Sequence, residues 1–335
     1  MVTARERASL VLNLMAAVNG IASGTTVRVA VSSPAEVTEV HNWCRNSGNS
    51  VYAVHEAEIE VYRGSMESAA ATLAPHQLPG YRLWFYTNFH CNLACDYCCV
   101  SSSPRADPWP LGAELVTELV SVGSANGVRE IYLTGGEPFL NPELPGIVEA
   151  CTAAAPTVLL TNGMLLRGMR RSWLEAMPRD GLCLQISVDS ATPELHDLHR
   201  GEGSWSRAIE GVRVAKDAGF DVRLAATLTT GAAAEERALA GLCAELNLTH
   251  DETIVRRVAQ QGVATRGISI SRATVVPEVC VTGRGVYWHP VAATDPAMQV
   301  HDHLADLSGA IDTIRDEFLA YRRQGDMLAA SFPCA

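Results

Sequence analysis

The stretch Tyr81-Arg82-Leu83-Trp84-Phe85-Tyr86-Thr87-Asn88-Phe89-His90-Cys91-Asn92-Leu93-Ala94-Cys95-Asp96-Tyr97-Cys98-Cys99 decides the reading of this chain. The apolar and aromatic run over 81–86 predicts a buried strand, and a C-x3-C-x2-C spacing follows it directly. The chain has ten cysteines in 335 residues. At that frequency a fixed triple spacing arises by chance in roughly one chain in a hundred of this length. A structural zinc site asks for four protein ligands, and no partner pair with zinc-finger spacing follows. Three thiolates suit a [4Fe–4S] cluster with one iron left open for chemistry. Cys99 reads as a spare thiol beside the reaction site, a hydrogen donor, or a small buried hydrophobe, the commonest fate of a free cysteine.

Outward from that loop the pattern alternates. Strands are predicted at 81–86, 130–133, 157–160, 183–188, 222–228 and 253–258, with helices at 113–125, 142–154, 168–177, 205–218 and 232–246. Six strands separated by helices imply a parallel α/β sheet with right-handed crossovers, closed or partly closed as a barrel. Reactive residues in such barrels sit at the C-terminal strand ends. Three motifs fall there. Leu133-Thr134-Gly135-Gly136-Glu137-Pro138 follows the second strand, where glycines let backbone carbonyls approach a ligand. Thr161-Asn162-Gly163 ends the third strand. Ser187 and Asp189 end the fourth, before the loop His196-Asp197-Leu198-His199-Arg200-Gly201. Each alone reads as an ordinary turn or solvated loop; together, at successive strand ends, they mark one site.

Cys91, Cys95, Tyr97 and Cys98 with Gly-Gly-Glu-Pro at 135–138 resemble the radical S-adenosylmethionine (SAM) enzymes. The resemblance covers about residues 81 to 270 and implies a partial (βα)6 barrel. It implies a [4Fe–4S] cluster on Cys91, Cys95 and Cys98, with SAM chelating the open iron. The reduced cluster then cleaves SAM to methionine and a 5′-deoxyadenosyl radical, which removes hydrogen from a substrate. By the same resemblance, Gly135, Gly136 and Glu137 receive the SAM amino group, and Ser187 and Asp189 touch its carboxylate or ribose. Arg200 pairs with the carboxylate, Asn162 reaches the ribose, and Tyr97 walls the adenine edge. The implied electron donor is a flavodoxin or ferredoxin, and the enzyme is expected to be oxygen-sensitive.

Two flanking regions complete the expected division into 1–75, 81–270 and 271–335, with a linker over 74–80. The order α, β, α, β, β in the first region resembles a TusA/SirA-like sulfur-carrier domain. The start MVTARERA lacks that family's Cys-Pro-x-Pro, so the resemblance points to a docking or recruiting module. Cys44 reads as core. The tail, with strands at 274–276, 279–282 and 285–288 and a helix at 304–323, resembles a SPASM or twitch extension. Only Cys280 and Cys334 lie beyond residue 270, too few for an auxiliary cluster. Tyr287, Trp288 and His289 read as packing or pocket lining.

The apolar share of 47% and charged share of 19% describe a folded globular protein. The net charge of −11 argues against a sequence-independent hold on nucleic acid or anionic lipid. No apolar run is long enough to span a membrane and no signal-peptide core is present, so a cytoplasmic address is expected. The expected activity is SAM cleavage with hydrogen abstraction from a small-molecule or peptide substrate. The alternatives are a peptide maturase recruiting a leader through 1–75, or a non-catalytic iron–sulfur or sulfur-trafficking protein.

Overall fold

The structure, a computed structural model, describes residues 4–66, 73–229, 233–249 and 253–324. Described residues within 4–79, 271–277 and 312–324 form one compact unit, and those within 80–270 and 278–311 form the other. Described residues beyond 270 are thus divided between the two units.

In the first unit, helix α1 (Ala4–Asn19), strand β1 (Thr26–Ala30), helix α2 (Pro34–Ser47) and strands β2 (Ser50–Val54) and β3 (Glu58–Tyr62) follow in the expected order. Helix α2 starts where Ser33, in extended backbone, accepts the Glu36 N–H and Pro34 supplies a preset φ. It stops at Gly48, whose φ of 76° is left-handed. The antiparallel sheet has the order β1-β3-β2. Its Val29, Ile59 and Val61 pack with Leu14, Val18, Val40 and Trp43 into one core. Cys44 sits in that core, and burial pushes its thiol up to about 12.

In the second unit, strands β4 (Arg82–Tyr86), β5 (Glu130–Thr134), β6 (Thr157–Thr161), β7 (Leu182–Ser187), β8 (Asp221–Leu228) and β9 (Ile254–Arg257) pair in sequence order, all parallel. Between them run α3 (Ala113–Ala125), α4 (Leu144–Thr152), α5 (Met169–Ala176), α6 (Pro193–Arg200), α7 (Ser204–Asp217) and α8 (Ala233–Glu245). Leu83, Phe85, Ile131, Leu133, Leu159 and Leu184 are fully buried along one face. That is the helix side: a Cβ on Gly123 of α3 would lie 3.0 Å from Leu83 Cδ2. Helix α6 corrects the expectation of a loop over 196–201. Thr192 in extended backbone, Pro193 in the first turn and Gly201 after the last residue bound a helix, a signature masked by the segment's charged composition.

Beyond β9, strands β10 (Ala259–Gln260) and β11 (Ile268–Ser269) form a short parallel pair. Strand β12 (Val279–Thr282) pairs in parallel with β4, and β13 (Gly285–Tyr287) and β14 (Gln299–His301) continue antiparallel. The sheet order is β14-β13-β12-β4-β5-β6-β7-β8-β9, open at β14 and β9. The tail strands thus extend the barrel sheet, and 274–276, expected as extended, is not a strand. Tyr287, Trp288 and His289 are 2%, 0% and 1% exposed, which makes them packing. Helix α9 (Leu307–Gln324) has its residues from 312 on in the first unit, where Glu317 pairs with Arg272 at 2.7 Å and a Cβ on Gly48 would lie 2.5 Å from Arg322 Cα. Cys334 lies outside the described residues. No helix among the described residues is long and apolar enough to cross a membrane.

Candidate active site

The cysteine loop leaves β4 and is pinned to the neighbouring strand ends by backbone and side chains together. Gly136 N donates to Asn88 O and Glu137 N to His90 O, each at 2.9 Å, so the chain approaching Cys91 runs beside the turn after β5. Asn88 Nδ2 returns a hydrogen bond to Glu137 O at 3.0 Å. Within the loop, Leu93 N donates to Cys91 Sγ at 3.4 Å and Ser102 N to Cys98 Sγ at 3.3 Å. Burial pushes the Cys91 thiol up to about 12 and the Cys95 thiol up to about 11. Among the described residues no three His, Cys, Asp or Glu groups converge on one ion.

Two buried carboxylates organise the mouth, and their environments separate them. Glu137 is wholly buried; Oε1 accepts from Thr161 Oγ1 at 2.8 Å and Phe139 N at 3.0 Å, and Oε2 from Asn162 N at 2.9 Å. Its close donors are neutral, so burial outweighs them and raises its carboxyl above the usual range. Asp189, at 3% exposure, is gripped by Arg200 through Nε at 2.6 Å and Nη2 at 3.1 Å, by Thr227 N at 2.9 Å, and by the Tyr97 hydroxyl. Burial pushes it up, but the guanidinium and these hydrogen bonds together outweigh burial and hold its carboxyl below the usual range. The Arg200 guanidinium also lies 5.6 Å from the Tyr97 ring centroid. Tyr97, Asp189 and Arg200 therefore form one buried cluster that ties the cysteine loop to β7 and α6.

Four further residues, Asn92, Asp96, His199 and Gly262, take part in the site. His199 lies 2.9 Å through Nδ1 from the Asp96 carboxylate and 2.9 Å through Nε2 from Thr229 Oγ1, and Asp96 N donates to the His199 carbonyl. Asn92 Oδ1 accepts from Asn162 Nδ2 at 2.8 Å. Gly262, at a φ of +61°, lets its backbone lie so close to Cys98 and Cys99 that a Cβ would sit 2.3 Å from Cys98 O. Asn92 and Asp96 fall inside the cysteine spacing, which was the one available signal. Gly262 had none, since it meets the loop only through the fold. Ser187 is half-buried at the end of β7, and Cys99 is half-buried in the loop.

Residues 86–239 match the Radical SAM superfamily family model. Curated relatives align over about two fifths of the chain. The antilisterial bacteriocin subtilosin biosynthesis protein AlbA of Bacillus subtilis is 32% identical over 148 residues, 42% of this chain and 32% of that protein. A GTP 3',8-cyclase of Tolumonas auensis is 34% identical over 134 residues, 39% of each chain. The mycofactocin maturase MftC of Mycobacterium ulcerans is 32% identical over 143 residues, 42% of this chain and 38% of that one. The chain carries a radical SAM domain. It spans less than half the length of these relatives. Among solved structures, native anSMEcpe with bound AdoMet superposes with a TM-score of 0.54 at 16% identity, covering 71% of this chain and 82% of that one. That likeness shows the shared α/β fold.

Radical SAM domains work with a [4Fe–4S] cluster and SAM, and the residues here fit both groups. The donor set is three thiols in one loop, two of whose sulfurs already accept N–H bonds, the support given to cluster thiolates. The high proton affinity of Cys91 and Cys95 means that iron must displace protons on binding. Asn88 Oδ1 and Ser102 Oγ are buried beside this loop without a partner.

Several residues expected to hold SAM already have partners within the chain. Gly135 and Gly136 are required first by chain packing, since a Cβ would meet Asn88 O at 2.7 Å or His90 O at 2.3 Å. The Glu137 carboxylate is spent on Thr161, Phe139 and Asn162, so it shapes the turn that its carbonyls line. Asn162, expected to reach a ribose, has its amide nitrogen on Asn92 and its Oδ1 on Met164 N at 3.0 Å. Arg200 has its Nε–Nη2 edge on Asp189, so the bidentate grip expected on a SAM carboxylate is already taken by a protein one.

Proposed function

We propose that the chain is a radical SAM enzyme in which Cys91, Cys95 and Cys98 hold a [4Fe–4S] cluster. In this reading the backbone at Gly135, Gly136 and Glu137 with Ser187 holds SAM, beside the Tyr97–Asp189–Arg200 cluster. When bound, the reduced cluster and SAM together supply a 5′-deoxyadenosyl radical, which takes a hydrogen atom from the substrate. The chain's own residues position and seal. Glu137 fixes the turn that is hydrogen-bonded to the chain approaching Cys91, Asp189 and Arg200 hold the cysteine loop through Tyr97, and β4 to β9 wall the chamber against water. The observation that carries the reading is the fastening of a three-cysteine loop to two strand ends, after β5 through the backbone of Gly136 and Glu137 and after β7 through the buried Asp189 carboxylate on Tyr97. The test is anaerobic reconstitution followed by electron paramagnetic resonance of the reduced protein. SAM should change the spectrum, and Glu137→Ala should keep the cluster signal while weakening SAM affinity roughly tenfold or more. An unaltered SAM affinity would remove Glu137 from the site.

The relatives' names span bacteriocin biosynthesis, mycofactocin maturation and GTP cyclisation, so their shared segment supports a common initiating chemistry and leaves the substrate open. Two of those names favour a second reading, a peptide maturase whose residues 1–75, on a carrier-like fold, recruit a leader peptide. Binding of a peptide encoded beside this gene to the full chain, lost on substitutions in β1 to β3, would favour it. A flavodoxin- or ferredoxin-type donor and a cytoplasmic setting belong to both readings.

A further inference from the structure

The helix side of the parallel sheet is apolar, but the side that lines the barrel lumen is not. Strand alternation puts Trp84, Tyr132, Gln185, Arg223 and Arg256 on that inner side. Trp84 and Tyr132 stack with centroids 4.5 Å apart, Gln185 is in register with Arg223, and Thr227 with Arg256. Arg82, also on this side, is neutralised by Glu130 at 3.0 Å and Glu278 at 3.4 Å. Arg223 has no such partner. Its Nε donates to the neutral Gln185 Oε1 at 2.9 Å, and its buried Nη2 has no hydrogen-bond partner. Arg256 donates through Nε to the Thr227 hydroxyl at 3.2 Å, again a neutral acceptor. Withdrawing a guanidinium from water is costly unless a charge or a full set of acceptors meets it. A chain with 37 acidic residues nonetheless places glutamine in register with this arginine.

We propose that Arg223 recognises the substrate, binding an oxyanion, carboxylate or phosphate, inside the barrel lumen. Arg223 lies two residues below Ala225, which is in register with Ser187 at the strand end, so its backbone is about 7 Å inside the mouth. Gln185 holds Nε, and the Nη1–Nη2 edge of the fork, with Nη2 buried and unpartnered, is the edge that a planar two-oxygen anion would satisfy. The substrate class is thus a molecule that carries an oxyanion. This inference rests on the barrel being the reaction chamber.

The test is a thermal-midpoint titration of the full chain with glutarate, with inorganic phosphate and with uncharged glutaramide. At least one anion, and not glutaramide, should raise the midpoint saturably; whichever does so assigns the oxyanion. Arg223→Gln should weaken that binding roughly tenfold or more, Arg223→Lys less, and Arg213→Gln, on the exposed face of α7, not at all. No saturable shift with either anion, or equal affinity in Arg223→Gln, would overturn the proposal. The titration needs neither cluster nor SAM, so a protein that bound the anion but made no 5′-deoxyadenosine would sink the radical SAM reading alone.

Discussion

The two units handle polarity in opposite ways. In the unit built on β1 to β3, the charged groups of the sheet meet in water, Arg28 sitting 3.8 Å from Glu58 and 3.7 Å from Glu60 with its side chain 59% exposed, and Arg322 of α9 is the buried exception. Such pairs add little to stability. At the barrel mouth, Glu137, Asp189, Asn162 and Arg200 are all below 10% exposure and each is hydrogen-bonded within the site. Burying them is costly, and a fold carries that cost where geometry must be fixed. The first unit is an ordinary core with a solvated face; the second concentrates its buried polar groups around one cysteine loop.

That contrast predicts a steep gradient of effects. The largest is at the loop: Cys95→Ala should lose the cluster, with iron per chain falling from roughly four toward zero after anaerobic reconstitution. Retained iron would detach the triple spacing from the site. Next comes acid sensitivity at His196, which accepts the Asp189 N–H at 3.1 Å and is held down to about 4 by burial and then by Arg200. Its folded value lies below its unfolded one near 6.5, so its contribution is full above pH 6.5 and is lost as pH falls toward 4. The span is worth about 3 kcal/mol. Denaturation midpoints against pH should slope less in His196→Asn, and an equal slope would place the sensitivity elsewhere. Gly136→Ala should cost about 2 kcal/mol, since the His90 carbonyl must move to admit the methyl; a midpoint within error of the unaltered protein would mean the turn relaxes freely. The smallest effect belongs to the first unit. Tyr52→Ser, at a 60% exposed position of β2, should change stability by less than about 0.5 kcal/mol and leave iron binding unaltered. Deleting 1–75 is a poorer test of the division, because it also strips the Gly48 contact from α9.

The barrel was legible because each parallel strand is a short apolar run between turn signals, and because motifs recur at strand ends. Six strands and five helices follow from that pattern. Helix α6 was missed because its charged composition, with Asp197, His196, His199 and Arg200, imitates a loop, although Thr192-Pro193 and Gly201 bounded it. The joining of β12 to β4 is a long-range pairing with no local signal. In the site, residue types were readable but commitments were not. No spacing reveals that Asn162 is spent on Asn92, that Arg200 already holds Asp189, or that His199 reaches back to Asp96, since those contacts exist only after the strands align.

One measurement bears directly on the central claim. The reconstituted protein is reduced with dithionite under anaerobic conditions, given SAM, and 5′-deoxyadenosine is followed by chromatography and mass spectrometry. The account predicts 5′-deoxyadenosine from the unaltered chain and none from Cys95→Ala. A protein that held four irons and bound SAM yet produced no 5′-deoxyadenosine would contradict it.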